Sequence, residues 1–325
     1  MYYANGNKQV EGNYTNGLKN GAFKYYDKNG NLIEVIKYVN GEVQQDDEET
    51  ATLKLSYTYY DDATVKSAGA YSNGKRVGVW RYYSQDGEIT SSEVYEDGIK
   101  IGEGLVDEKG FYQEYWKHYY ETGELKSEGN YLDGQRDGFW KYYYKSGQLE
   151  QTGTYRKGKA YDTWKLYYPN GNIHREEEYI NDLEDGMSVE YDEEGNIIAK
   201  GNYIEGQKDG AWYKQLNGFK EEGSFINGEP TGVWKFTYDN GKTAFKGEFV
   251  SGIPIDKHVY YYPSGIVKAE GKFSGGKKKG DWRWYDEEGK IKLVIRYKRG
   301  EEVKINGVKV RKGTEIPEIE EVNIE

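Results

Sequence analysis

The residues that could do chemistry in this 325-residue sequence are three histidines, His118, His174 and His258, and a wealth of carboxylates; it holds 56 Asp and Glu and no Cys. The lack of Cys removes disulfides, thiolate metal sites and Cys nucleophiles together. A His-based metal site or triad needs its members in one place. The three fall at different phases of a repeating unit and in different copies of it, so none is read as catalytic or metal-binding. His118 and His258 take phases held elsewhere by Tyr or Trp, which predicts ring packing. The acidic runs Glu176-Glu177-Glu178 and Asp192-Glu193-Glu194 raise glycoside hydrolysis, which needs two acids at a set separation in a cleft. Alternating Lys nearby favours cross-strand charge pairing on a solvated face instead. Asp-Glu-Glu-Gly at 192–195 and 286–289 lacks calcium-loop spacing. The glycines are spread by the repeat and form no phosphate cradle. No enzymatic activity, metal or cofactor is expected.

What positions these residues is a unit of about two dozen residues. Gly138-Phe139-Trp140-Lys141-Tyr142-Tyr143 matches Gly78-Val79-Trp80-Arg81-Tyr82-Tyr83 and Gly232-Val233-Trp234-Lys235-Phe236. A turn Gly recurs at Gly6, Gly30, Gly87, Gly123, Gly147, Gly171, Gly195, Gly218, Gly241, Gly265 and Gly289, with a degenerate copy near Asp62. After it the chain alternates, as in Leu125, Ser127, Gly129 and Tyr131, the period of a half-buried strand. A second turn follows (Asn16-Gly17, Asn73-Gly74, Asp133-Gly134), then a further Gly four residues on, where the aromatic strand is expected to begin. Strand, turn, strand, turn reads as an antiparallel meander. No sustained helical spacing competes.

The fold class expected is all-β: an elongated array of about twelve stacked β-hairpins in a twisted single-layer sheet, roughly 115 Å long at about 4.8 Å per strand. The array covers 1–310, with an acidic insertion at 42–52 and an irregular insertion at 103–115. An acidic C-terminal tail covers 311–325. One face of the aromatic strand pairs Trp80 with Tyr82 and Trp140 with Tyr142. Gly129, Gly153, Gly201, Gly223, Gly247 and Gly271 leave room for a neighbouring ring. The other face carries Tyr83, Tyr119, Tyr143, Tyr167, Tyr191, Tyr261 and Tyr285. These line up as a ladder that either packs upon itself or stays open to grip a partner.

Composition narrows the partners. Net charge is −11 and mean hydropathy −1.00, with 35 Tyr and 8 Trp. An acidic surface repels phosphate backbones and anionic lipid heads, so nucleic acid is not expected as a partner. Lys277, Lys278 and Lys279 form a local basic patch that reads as a solvated turn. No apolar run is long enough to span a membrane. The chain starts inside a unit, at Met1-Tyr2-Tyr3-Ala4-Asn5-Gly6. That start predicts an upstream segment such as a targeting signal, with a surface or periplasmic place if one was removed and a cytoplasmic one otherwise. Free terminal strands suggest end-to-end or edge association.

The pattern Gly-x-Trp-Lys-Tyr-Tyr-x-x-x-Gly-x-Leu-x-x-x-Gly-x-Tyr-x-x-Gly resembles the MORN-repeat variant of bacterial proteins labelled YwqK-family antitoxins, over residues 1 to about 300. The resemblance implies stacked hairpins in a single-layer sheet and interaction rather than catalysis. Eukaryotic MORN arrays are associated with lipid headgroups and dimerised scaffolds; this chain is more acidic and richer in Tyr. Choline- and glucan-binding cell-wall repeats share Trp-Tyr-Tyr, but their unit is nearer twenty residues. The expected function is a non-enzymatic scaffold for a protein partner, antitoxin- or immunity-like. The alternative is a surface adhesin or glycan-binding module using the tyrosine ladder.

Overall fold

Period-two alternation broken by Gly turns every dozen residues leaves the backbone one way to satisfy its hydrogen bonds, pairing each strand with the next. In the computed structural model the chain does this within each of its sheets. Residues 1–28, 30, 32–43, 53–216 and 218–311 are described, and among them there is no helix and about 70% of the chain is strand. The tail from 312, and the part of the acidic insertion from 44 to 52, lie outside the described residues.

Two compact units divide the chain, Met1–Gly171 and Asn172–Glu325. The first opens with β1 (Val10–Thr15), β2 (Leu18–Tyr26), β3 (Leu32–Val39) and β4 (Glu42–Val43), a four-stranded antiparallel sheet in chain order. It continues with β5 (Lys54–Tyr59), β6 (Val65–Ser72), β7 (Lys75–Tyr83), β8 (Ile89–Glu96), β9 (Ile99–Val106), β10 (Tyr112–Tyr119), β11 (Leu125–Leu132), β12 (Gln135–Tyr143), β13 (Leu149–Arg156) and β14 (Lys159–Tyr167). The second holds β15 (Ile173–Ile180), β16 (Leu183–Tyr191), β17 (Ile197–Ile204), β18 (Gln207–Leu216), β19 (Phe219–Ile226), β20 (Glu229–Tyr238), β21 (Thr243–Val250), β22 (Ile253–Tyr261), β23 (Val267–Ser274), β24 (Lys277–Tyr285), β25 (Ile291–Lys298), β26 (Glu301–Ile305) and β27 (Val308–Lys309). Within each unit these strands pair antiparallel as consecutive hairpins, and the series does not close on itself.

Two kinds of turn alternate. In the first, Tyr144 N binds Gln148 O and Gly147 N binds Tyr144 O, with positive φ at Gly147 alone. The second is a two-residue turn with both residues at positive φ, as at Asp133 (50°) and Gly134 (76°), the geometry that suits the twist of a hairpin. The aromatic strand begins straight after this turn. The further Gly expected at its start, such as Gly138 (φ 73°), instead sits inside it as a bulge, where the register slips between Glu128↔Lys141 and Asn130↔Asp137.

In most hairpins the core is one ring laid on a glycine of the strand before. An ideal Cβ on Gly129 would come 2.4 Å from the Trp140 ring. The same meeting joins Gly69 to Trp80, Gly153 to Trp164, Gly201 to Trp212 and Gly271 to Trp282, and Phe23 covers Gly12. The aromatic two residues beyond the glycine stands edge-on to the ring: Tyr131 and Trp140 have centroids 5.0 Å apart at 88°. The indole N–H donates ten residues back, Trp140 Nε1 to Asn130 O at 3.0 Å. A cation four residues before the ring closes the solvent side, Arg76 over Trp80 at 4.3 Å and Lys208 over Trp212 at 4.3 Å.

Residues 103–115, expected as an irregular insertion, lie in β9, a turn and β10. That turn, Asp107–Phe111 with Gly110, is of the first kind, and so is the next one at Gly123. β10 therefore serves as both the alternating and the aromatic strand, carrying Tyr112 and Trp116, and the second kind of turn is skipped once.

Candidate interaction surface

Cross-strand neighbours share a face, and the face opposite the buried rings carries the tyrosine ladder. Tyr83, Tyr119, Tyr143, Tyr167, Tyr191, Tyr261 and Tyr285 each end an aromatic strand, and all are half-buried. In the first unit Tyr119, Tyr143 and Tyr167 share the face of Glu103 and Glu128, whereas Tyr83 stands on the other face, that of Arg81 and Ser92. Four of their hydroxyls donate to a glutamate on the strand before: Tyr119 to Glu103 at 2.5 Å, Tyr143 to Glu128 at 2.6 Å, Tyr191 to Glu176 at 3.3 Å and Tyr285 to Glu270 at 2.9 Å. Tyr26 and Glu11 repeat the pair at 2.9 Å in the four-stranded sheet. Lysines complete several of them, Lys100 to Glu103 and Lys257 to Glu270, both at 2.7 Å. Burial, then the Glu103 bond, pushes Tyr119 up to about 12. Bonds from Lys100 and Tyr119 hold Glu103 below the usual carboxylate range. Burial works to raise Glu128, but the Tyr115 and Tyr143 hydroxyls bring it below that range too.

A second tyrosine series, one residue further along, fastens the ladder. Its hydroxyls donate to the carbonyl of the ladder residue one repeat ahead: Tyr60 to Tyr83 O (2.7 Å), Tyr120 to Tyr143 O (2.7 Å), Tyr144 to Tyr167 O (2.8 Å), Tyr238 to Tyr261 O (2.7 Å) and Tyr262 to Tyr285 O (2.8 Å). Where Asp replaces this tyrosine it closes its own turn, Asp192 Oδ1 accepting from Asn196 N at 2.7 Å and Asp286 Oδ1 from Lys290 N at 2.7 Å.

Sequence reasoning missed the rest of this face. Phe139 (53% exposed), Met187 (48%) and Val233 (53%) stand one residue before the buried-ring position and point away from it. Leu132, Ile180, Ile204, Ile226 and Val250 are exposed where the alternating strand reaches the second turn. Their recurrence at about the repeat length was the available signal.

The chemistry-bearing residues are not brought together. His258 is 2% exposed and takes a Trp position, its Nε2 lying 3.0 Å from Glu248 O as an indole N–H would. His118 takes a Tyr position beside Tyr131 (3.2 Å), and burial lowers it to about 4. His174 lies 3.6 Å from Glu190. Glu177 departs from the solvated reading of its acidic run. It is 5% exposed, stands where other hairpins have the core glycine, and faces Ser188 in place of Trp. Tyr179 (2.9 Å) and Arg175 (3.3 Å) bind its two oxygens. Among the described residues no group of three or more His, Asp and Glu could hold a metal.

A cavity of about 270 Å³ in the first unit is lined by Leu32, Leu55, Val77 and Val106. Arg81 reaches it but is engaged by backbone, Nε to Val106 O at 3.3 Å and Nη2 to Asp107 O at 3.0 Å. No helix among the described residues is long and apolar enough to cross a membrane.

This geometry defines a protein of repeated hairpins. Seven segments, 1–16, 19–40, 115–133, 136–157, 163–181, 184–205 and 278–299, match the MORN repeat variant, and matches spread along the chain in this way support a MORN-repeat protein. That repeat is a non-catalytic type, generally a protein- or membrane-binding module. No curated protein matches the chain. Among solved structures it is similar to a chain of the Photorhabdus luminescens Tc holotoxin pore carrying a TccC3 substitution, at 14% identity and a TM-score of 0.20, covering 91% of this chain and 18% of that one. It is also similar to a TcdB2–TccC3 structure without its hypervariable C-terminal region, at 11% identity and a TM-score of 0.14, covering 87% and 22%. The chain thus spans about a fifth of the length of either.

Proposed function

We propose that the chain is a non-catalytic scaffold that captures a protein partner on the ladder face, tethering it or neutralising it in the manner of an antitoxin or immunity protein. One observation carries this reading. In the first unit exposed Phe139 stands on the side where half-buried Tyr143 is pinned by Glu128, and in the second exposed Met187 and Val233 take the same place in their hairpins, with Tyr191 bound to Glu176. Pinned phenol rings offer contact area with little rotamer freedom left to lose, and the aliphatic and aromatic side chains beside them offer burial. The glycan reading needs open ring faces for stacking, and the ladder rings are half-buried, so the protein reading is preferred.

The test is affinity capture from the source organism with the wild-type chain and with a Phe139→Ser/Tyr143→Ala/Tyr167→Ala variant, both checked for β structure by circular dichroism. A partner held by the wild type and lost from the folded variant is the expected result. Equal recovery by both removes the ladder face from the function.

A further inference from the structure

We propose that the ladder-side face of β22 to β25 binds an acidic, aliphatic peptide segment of a protein partner. This rests on the scaffold reading and gives one patch of it a ligand chemistry. Residues 251–300 hold 12 basic side chains against 6 acidic ones, a local charge of +6 in a chain of net −11.

The placement of these charges is unlike that in the other hairpins. Lys257 pairs directly with Lys272, and Lys272 with Lys279, a row of three lysines across adjacent strands. The equivalent first pair elsewhere in the unit is Met187↔Asn202, Ala211↔Ser224 or Val233↔Glu248. The equivalent second pair is Asn202↔Asp209, Ser224↔Thr231 or Glu248↔Ile255. Lys235 also faces Lys246, but Glu222 flanks it on its other side. Like charges directly opposed oppose folding of the sheet, so a row of three is expected to meet a counter-charge.

The chain's own acids supply little of that counter-charge. Glu270 binds Lys257 at 2.7 Å, and Asp281 holds Arg296 through bonds of 2.6 and 2.9 Å. Among the described residues Lys272, Lys277, Lys279, Lys298 and Arg299 have no ion-pair partner. At the end of the row is a cleft of about 650 Å³ whose lining includes Lys277, Lys279 and Lys298 and, from the ring side, Lys278 and Tyr297. Val250 and Ile253, both exposed, pair with each other at the turn one repeat before, and Ile253 lies against Gly276, next to Lys277.

Cations next to aliphatic side chains suit a peptide carrying both carboxylates and apolar residues. Lysines on successive strands stand about 4.8 Å apart, so the row spreads its charge over roughly 10 Å. Spread point charges fit several carboxylates of an extended segment better than one phosphate, and the nearby Arg296 fork is already taken by Asp281. A nucleic acid would overrun the patch onto acidic surface.

The experiment is fluorescence anisotropy of a short labelled Glu/Ile peptide with the full chain. Saturable binding that weakens with salt is expected, with about a tenfold loss for Lys272→Glu/Lys279→Glu. Lys220→Glu/Lys235→Glu should leave it unchanged. Unchanged affinity in the first variant, or no binding by the wild type, overturns the proposal. Tighter binding of duplex DNA or inositol hexaphosphate than of the peptide does so as well. A chain ending at Arg311 that binds the peptide much more tightly would make residues 312–325 the occupant and overturn an external partner. None of these results touches the capture experiment with the Phe139, Tyr143 and Tyr167 variant, so the two readings fail separately.

Discussion

Gly129→Ala adds one methyl at a position whose backbone any residue can adopt, since Gly129 has no positive φ. On backbone grounds alone it should stabilise by about 0.4–1 kcal/mol, through lost freedom in the unfolded chain. The opposite is expected. The new Cβ would sit 2.4–2.5 Å from three Trp140 ring atoms. Trp140 is fully buried and cannot shift without loosening its contacts with Tyr131 and Arg136 and its bond to Asn130 O. Overpacking costs about 1–3 kcal/mol and a strained indole bond about 1 kcal/mol more. The net loss should be roughly 2–3 kcal/mol. In a Trp140→Ala background the same methyl no longer meets the ring and should stabilise by the backbone effect alone, about 0.4–1 kcal/mol, a reversal of sign that a double-mutant cycle reads directly. Arrays of this kind need not unfold in one step. The assay is therefore urea unfolding combined with hydrogen exchange of β11 and β12. Full stability of Gly129→Ala, or an equal loss in both backgrounds, would refute the ring-on-glycine account.

Three further outcomes are expected. Tyr144→Phe removes the 2.8 Å bond to Tyr167 O and should cost about 0.5–1.5 kcal/mol, seen as faster exchange in β12 to β14. Burial lowers both His258 and His118, the latter to about 4, from the ordinary 6.5. The unfolded chain then takes up protons first, so stability is whole above pH 6.5 and declines as pH falls toward 4. Melting temperature against pH should flatten between 6.5 and 4.5 in a His118→Tyr/His258→Trp variant. Below 4.5 the lowered carboxyls of Glu103, Glu128 and Glu270 begin to titrate as well and cost stability in their turn. Glu103→Gln should let Tyr119 ionise at lower pH, followed by NMR of ring-labelled tyrosine; an unmoved titration would show that burial alone sets it.

The meander was legible because its causes are local. Period two, turn glycines and a constant step fix hairpins without any distant contact, and the small residue at Gly129 announces the ring that covers it. What escaped was chemistry between repeats. Nothing in the spacing of Tyr143 and Tyr144 says that adjacent phenols do different work, one bound to a glutamate fifteen residues back and the other to a carbonyl twenty-three residues on. The cations over Trp80, Trp140, Trp212 and Trp282 lay in plain view at Arg76, Arg136, Lys208 and Lys278, but cation–π contact leaves no periodic mark beyond a charge after a turn. Glu177 was misread as solvated because the acids around it are, and only the missing ring at Ser188 shows that the core changes there.

The doubled role of β10 has a geometric consequence. Successive antiparallel strands run to opposite borders, so two turns of one kind in a row exchange the borders. From β5 to β9 the Gly87 and Gly110 turns lie along one margin. From β10 to β14 their counterparts at Gly123 and Gly147 lie along the other, and the indoles change side with them: Trp116 lies on Gly104, which shares a face with Ser92 and Arg81, the face opposite Trp80. A ligand that follows one margin of the first unit therefore meets four-residue loops on one stretch and tight two-residue loops on the next. A single skipped loop has given an otherwise monotonous ribbon two distinguishable addresses.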